Sequence, residues 1–79
     1  MPHFPLFLWT AWSVQNVEFN GISTTGFEEA VANSIDLRNS PSTMWSTAIG
    51  FTAKRRKLAC EYIVDKDGNC CPNTAREVR

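Results

Sequence analysis

The stretch Asn20 to Ile35, NGISTTGFEEAVANSI, constrains the fold more than any other part of the chain, because turn chemistry, capping and apolar spacing agree there. Asn20-Gly21 is a turn signal. Thr25 stands three residues before Glu28, the capping-box arrangement in which a hydroxyl accepts from a backbone N–H and a carboxylate reaches back to the cap. Glu28 and Glu29 suit the positive end of a helix dipole. Phe27, Ala30, Val31, Ser34 and Ile35 recur at intervals of three and four, which predicts an amphipathic helix. Asn39, Ser40 and Pro41 end it, since the residue before a proline avoids the helical region.

Extended segments flank this helix. From Leu8 to Phe19 apolar and polar residues roughly alternate, with Val17 and Phe19 on one face and Gln15 beside them, as in a strand with one wet side. Trp12 and Val14 fall on the opposite parity, so either both faces are covered or a bulge switches the phase. Trp45, Thr47, Ile49, Phe51 and Ala53 share one face of a second strand, and Leu58, Cys60, Tyr62 and Val64 one face of a third. Between them, Lys54, Arg55, Arg56 and Lys57 read as a charged hairpin tip, with a phosphate contact as the other meaning. The chain turns at Asp67-Gly68, adds a short strand at Asn69 to Cys71, and ends in a polar segment read as a mobile tail. The fold class is therefore α+β: a single small β-α-β-β domain, an antiparallel sheet packed on one amphipathic helix. Residues 1–7 form an irregular N-terminal arm, 8–65 the domain, and 66–79 the turn and tail.

A chain of 79 residues buries only about 60% of the surface it exposes when unfolded, and such chains are usually helped by disulfides, a metal or oligomerisation. Cys60, Cys70 and Cys71 are odd in number and include an adjacent pair too constrained for an ordinary bridge. No basic residue precedes the apolar stretch Phe4 to Trp12, which is far short of a membrane span, so a cytoplasmic protein with reduced thiols is expected. His3 has no second histidine and no Cys-x-x-Cys pair beside it, so no metal is expected. Asp65 to Asn69 lacks the glycine spacing and closing glutamate of a calcium loop.

Oligomerisation remains. Three tryptophans and five phenylalanines are more ring than so small a core takes up, and aromatic residues are enriched at interfaces. The sheet face away from the helix is bare in a monomer and marks an interaction surface, with Trp9, Trp12 and Phe51 as its aromatic residues. Zero formal net charge removes the self-repulsion that opposes association and argues against a general nucleic-acid binder.

The string VEFNGISTTGFEEAVANSI, Val17 to Ile35, resembles the first strand and helix of dodecins, whose pattern runs V-E-x-x-G-x-S-x-x-S/G-W/F-E-x-A-V/I-x-x-A/S-I/L. Trp45 stands where a dodecin tryptophan begins the second strand, and KLACEYIV, Lys57 to Val64, resembles the third strand with one residue inserted. Dodecins are strand-helix-strand-strand proteins that assemble as hollow dodecamers and stack flavins between tryptophans at subunit interfaces. The resemblance implies a homo-oligomer that holds a flavin (FMN, FAD or riboflavin), with Trp45 as the stacking platform and Tyr62 and Ile63 lining the pocket.

The alternative is a protein-interaction module, an inhibitor or accessory subunit, that docks a protein partner through its sheet face and N-terminal aromatics. No catalytic residues are expected: His3 sits in the irregular arm, and no serine or cysteine has a base at a workable spacing. The expected function is non-enzymatic binding.

Overall fold

A computed structural model of the chain describes residues 4, 6–40, 42 and 44–79. The expected roles of His3 and Pro41, and much of the arm over 1–7, lie outside them.

The first regular element is a helix, α1 (Ala11–Phe19), where a strand is expected. Local hydrogen bonding decides this. Thr10 Oγ1 accepts from the Ser13 N–H at 3.1 Å, and Ser13 Oγ accepts from the Thr10 N–H at 2.9 Å, a reciprocal cap that satisfies two donors. Ser13 and Val17, four apart, form the buried face. Asn20-Gly21 then ends a helix rather than a strand. Gly21 takes φ +75°, its N–H bonds to Glu18 O, and the Ile22 N–H bonds to Val17 O at 3.0 Å, the pattern of a Schellman cap.

The second helix, α2 (Thr24–Ala32), carries the expected stripe: Phe27, Ala30 and Val31 are buried. Its cap is Ser23, whose Oγ accepts from the Gly26 N–H at 2.9 Å, so the expected box at Thr25 and Glu28 does not form. Glu28 instead accepts from Trp9 Nε1–H at 2.8 Å, and Glu29 from the Ala53 N–H at 3.0 Å. The helix stops at Asn33, well before Pro41. Ser34 and Ile35 extend the helical spacing in sequence, but they begin a strand, β1 (Ser34–Asn39), because Ser34 and Asp36 pair with the next strand, with Ile35 bulged between them.

Strands β2 (Ser46–Phe51), β3 (Lys57–Val64) and β4 (Cys70–Glu77) complete an antiparallel sheet in the order β1-β2-β3-β4. The turn into β4 is the one expected: Gly68 has φ +81°, and Asp65 Oδ1 accepts from the N–H groups of Asp67 (2.9 Å) and Asn69 (2.8 Å). Beyond it, the segment read as a tail is a strand paired with β3 from Val64↔Cys70 to Leu58↔Glu77. Asn16 and Asn20 of α1 donate to the carbonyls of Asn73 (3.2 Å) and Ala75 (2.8 Å), which ties that helix to β4.

The α+β class and the antiparallel sheet packed on helix are as expected, whereas the order is α-α-β-β-β-β in place of β-α-β-β. The strand-then-helix order that the dodecin resemblance implies over Val17 to Ile35 is here a helix end, a loop, a helix and the start of β1. Val17, Phe27, Ala30, Val31, Ala48, Leu58, Cys60, Tyr62, Cys70 and Ala75 form one core between the helices and the sheet, with Phe4, Phe7 and Trp9 packed against it.

Candidate functional site: the outer face of the sheet

Both helices contribute to that single core, so they lie on one side of the sheet. Strand alternation then assigns the rest. Ala48, Leu58, Cys60 and Tyr62 point to the helices, and Thr47, Ile49, Phe51, Ala59, Glu61 and Ile63 point away.

Cross-strand register arranges this outer face in rows. One row reads Asp36, Ile49, Ala59, Arg76 from β1 to β4, the next Arg38, Thr47, Glu61, Thr74. Continued by one residue, the β2–β3 register sets Trp45 opposite Ile63, which pairs with Cys71. Ile49 and Ile63 are half-buried, Phe51 is exposed, and Asp36 and Arg38 form an exposed ion pair at 3.1 Å.

Of the residues expected to hold a ligand, Trp45 and Ile63 share this face and Tyr62 does not. Tyr62 is 3% exposed on the helix side, where Phe4 meets it edge-on at 5.3 Å. Successive strand residues face opposite ways, so Tyr62 and Ile63 never line one wall. Burial, followed by the nearby Cys70 and Cys60, raises the Tyr62 pKa, in keeping with a core phenol.

The aromatics expected to form a shared docking surface are also parted. Trp9 packs edge-on against Phe27 at 5.1 Å and bonds Glu28, on the helix side. Trp12 is 60% exposed on α1, and Phe51 lies on the outer face.

Nor do Lys54, Arg55, Arg56 and Lys57 make one patch. Arg56 is engaged with Glu77 (3.2 Å) and the Gly21 carbonyl (2.9 Å), while Lys57 sits opposite Phe51 in the sheet. Lys54 and Arg55 occupy the exposed turn, with Arg55 at φ +64°. A cleft of about 420 Å³ opens between this turn and the start of α2, but the Glu29 carboxylate lines it beside Lys54 and Arg56.

Among the described residues no group of His, Cys, Asp and Glu side chains is placed to hold a metal ion, and no helix is long and apolar enough to cross a membrane. All three cysteines are unpaired. Burial pushes Cys60 from 9.0 up to about 12, and burial with the neighbouring Cys71, Cys60 and Glu28 does the same for Cys70. Neither thiol is a nucleophile at neutral pH.

Sequence reasoning missed β1 and the part of β4 beyond Cys71, which complete the outer face. Asp36 and Arg38, of opposite charge two residues apart, were the available signal for β1, since that spacing puts both on one side of a strand.

The chain matches no protein-family model, no curated protein and no solved structure. Fold and site together define a small α+β domain whose helices, among the described residues, cover one face of its sheet and leave the other bare.

Proposed function

We propose that the protein is a self-associating binding domain whose outer sheet face meets the same face of a second copy. The observation that carries this reading is the row from Asp36 to Arg76, acidic at the β1 end and basic at the β4 end. A two-fold axis along the strands lays β1 over the second copy's β4, which brings Asp36 against Arg76 on both sides of the axis. Ile49, Phe51 and Ile63 supply the apolar contact, and the two charge pairs fix the alignment.

The face measures roughly 20 × 20 Å from strand spacing and rise, about 400 Å² per copy. That is about half of what a stable dimer buries per partner, so the association is concentration-dependent. Three unpaired thiols suit a reducing compartment such as the cytoplasm.

A second reading is a planar aromatic ligand such as a flavin held between two copies, and the placement of Trp45 beside Ile63 on the outer face favours it. The dodecin resemblance adds less, since the element order differs.

Ile63→Lys puts a cation into the face and tests both. Light scattering across a concentration series should show the mass of the wild type rising above that of Ile63→Lys, and equal masses contradict the face contact. Riboflavin titrated into the wild type reports the second reading: quenching of its fluorescence that Ile63→Lys removes supports a ligand on this face, and no quenching rejects it.

A further inference from the structure

Among the described residues, β1 is an edge of the sheet with no strand on its outer side. This strand extends past the helical layer, since α2 packs on β2 and β3 and α1 on β4. After Ser34, every residue of β1 is exposed, including Ile35 (65%) and Leu37 (49%), large apolar side chains with no cover. The opposite edge is partly occupied. Leu6 O accepts from the Cys70 N–H at 3.0 Å, the Leu8 N–H donates to Cys70 O at 2.8 Å, and Pro72 has no N–H to offer.

The backbone of β1 decides which residues can reach a new strand. The Ser40 N–H donates to the Trp45 carbonyl at 2.9 Å, toward β2. Alternation then turns the N–H and carbonyl groups of Arg38 and Asp36 toward β2 as well, and those of Leu37 and Asn39 toward the open side. An antiparallel copy of β1 must therefore align odd residues with odd residues.

Three such registers keep Leu37 near the centre. One sets Asp36 opposite Asp36, another Arg38 opposite Arg38, and like charges directly opposite destabilise a strand pair. The third centres on Leu37. It sets Asp36 opposite Arg38 on both sides of the axis, lets the two Leu37 residues exchange both backbone hydrogen bonds, and puts one Leu37 side chain against the other.

We propose that two copies of this chain join edge to edge through β1 in this register, making one continuous eight-stranded sheet. The bulge between Ser34 and Asp36 confines regular pairing to the segment around Leu37. A two-fold contact of this kind closes at two chains, because each copy has a single β1. It uses the edge of the sheet, whereas the face contact proposed above uses the outer surface, and either can form without the other.

The test is charge reversal, read as mass by sedimentation in the Ile63→Lys background, where the face contact is removed. Ile63→Lys itself should be a dimer. Adding Asp36→Arg or Arg38→Asp creates like-charge pairs across the axis, and each should shift the dimer–monomer equilibrium about tenfold or more toward monomer. Combining Asp36→Arg with Arg38→Asp restores opposite charges and should restore the dimer. Leu37→Pro, which removes the central donor, should be monomeric, with circular dichroism reporting whether it folds. A monomer in the Ile63→Lys background, or a dimer whose strength ignores the single reversals, overturns the edge contact. Loss of dimer in the double reversal does so too. If Ile63→Lys leaves the wild-type mass unchanged while the reversals still act, the face reading fails and the edge contact stands.

Discussion

Gly50 of β2 lies so close to Ala30 of α2 that a Cβ on Gly50 would collide with the Ala30 carbonyl oxygen and come within 2.9 Å of Ser34 Cα. Helix and strand meet there through backbone alone, which brings Phe27 and Val31 down onto Ala48, Leu58 and Cys60. Both obstacles are main-chain atoms, so no side-chain rotation relieves them. Gly50→Ala is expected to destabilise the domain by about 3 kcal/mol or more, seen as a lower urea midpoint. An unchanged midpoint would show that the helix does not sit this close to the sheet.

Trp9 and Trp12 are separated by three positions and have different fates. Trp9 packs on Phe27 and donates to Glu28, whereas Trp12 points from α1 into solvent. Trp9→Ala should cost about 3 kcal/mol through lost packing and an orphaned carboxylate partner. Trp12→Ala should stay within about 0.5 kcal/mol of the wild type. Equal losses on chemical denaturation would contradict the placement of α1.

Eight of the last ten residues, Cys70–Glu77, form a strand of the sheet. β4 pairs along β3 and anchors α1 through Asn16 and Asn20, and Cys70 and Ala75 belong to the core. A chain ending at Asn69 is expected to lose cooperative unfolding, whereas deletion of Val78 and Arg79 should cost at most about 1 kcal/mol. A cooperative transition in the longer deletion would return this segment to the role of a tail.

The buried thiols make stability fall with alkaline pH. Cys60 and Cys70 have folded-state values of about 12, above the ordinary 9.0, so the unfolded chain ionises first as pH rises. Their stabilising contribution is complete below about pH 8 and is lost between about pH 9 and 12, on the order of 1 kcal/mol per thiol by pH 10. Thermal midpoints should be flat from pH 6 to 8 and fall above pH 9, with a shallower fall in Cys60→Ala. Cys71, half-buried and raised by burial and by the charge of Asp65, should react with a thiol reagent in the native state before the other two. Equal labelling of all three would contradict their burial.

Parts of this architecture are legible in the sequence where local chemistry and tertiary contacts agree. Leu58, Cys60 and Tyr62 alternate along β3, Phe27, Ala30 and Val31 stripe α2, and Asp67-Gly68 turns the chain into β4. The uncovered sheet face is legible for the same reason, since one layer of helix cannot cover both sides. Elsewhere a pattern fits two structures. Gln15, Val17 and Phe19 alternate like a strand, but Ser13 and Val17 also lie four apart, and the Thr10–Ser13 cap decides for the helix. Ser34 and Ile35 continue the spacing of α2, and only the pairing of Ser34 and Asp36 with β2 shows this segment as strand. CCPNTARE has little intrinsic strand preference and becomes β4 because β3 offers its edge, an override by tertiary context. For the same reason Tyr62 belonged in the core: its parity matches Cys60, which is buried, and not Ile63.

The most direct test of self-association is the mass of the purified chain by light scattering over a hundredfold range of concentration. With an edge contact that closes at two chains and a separate face contact, the mass is predicted to reach two chains and then climb beyond them as concentration rises. The mass should hold at two in Ile63→Lys or in Arg38→Asp, and at one in a variant carrying both. A single-chain mass for the wild type at every concentration would contradict both contacts, and with them the reading of this protein as a self-associating domain.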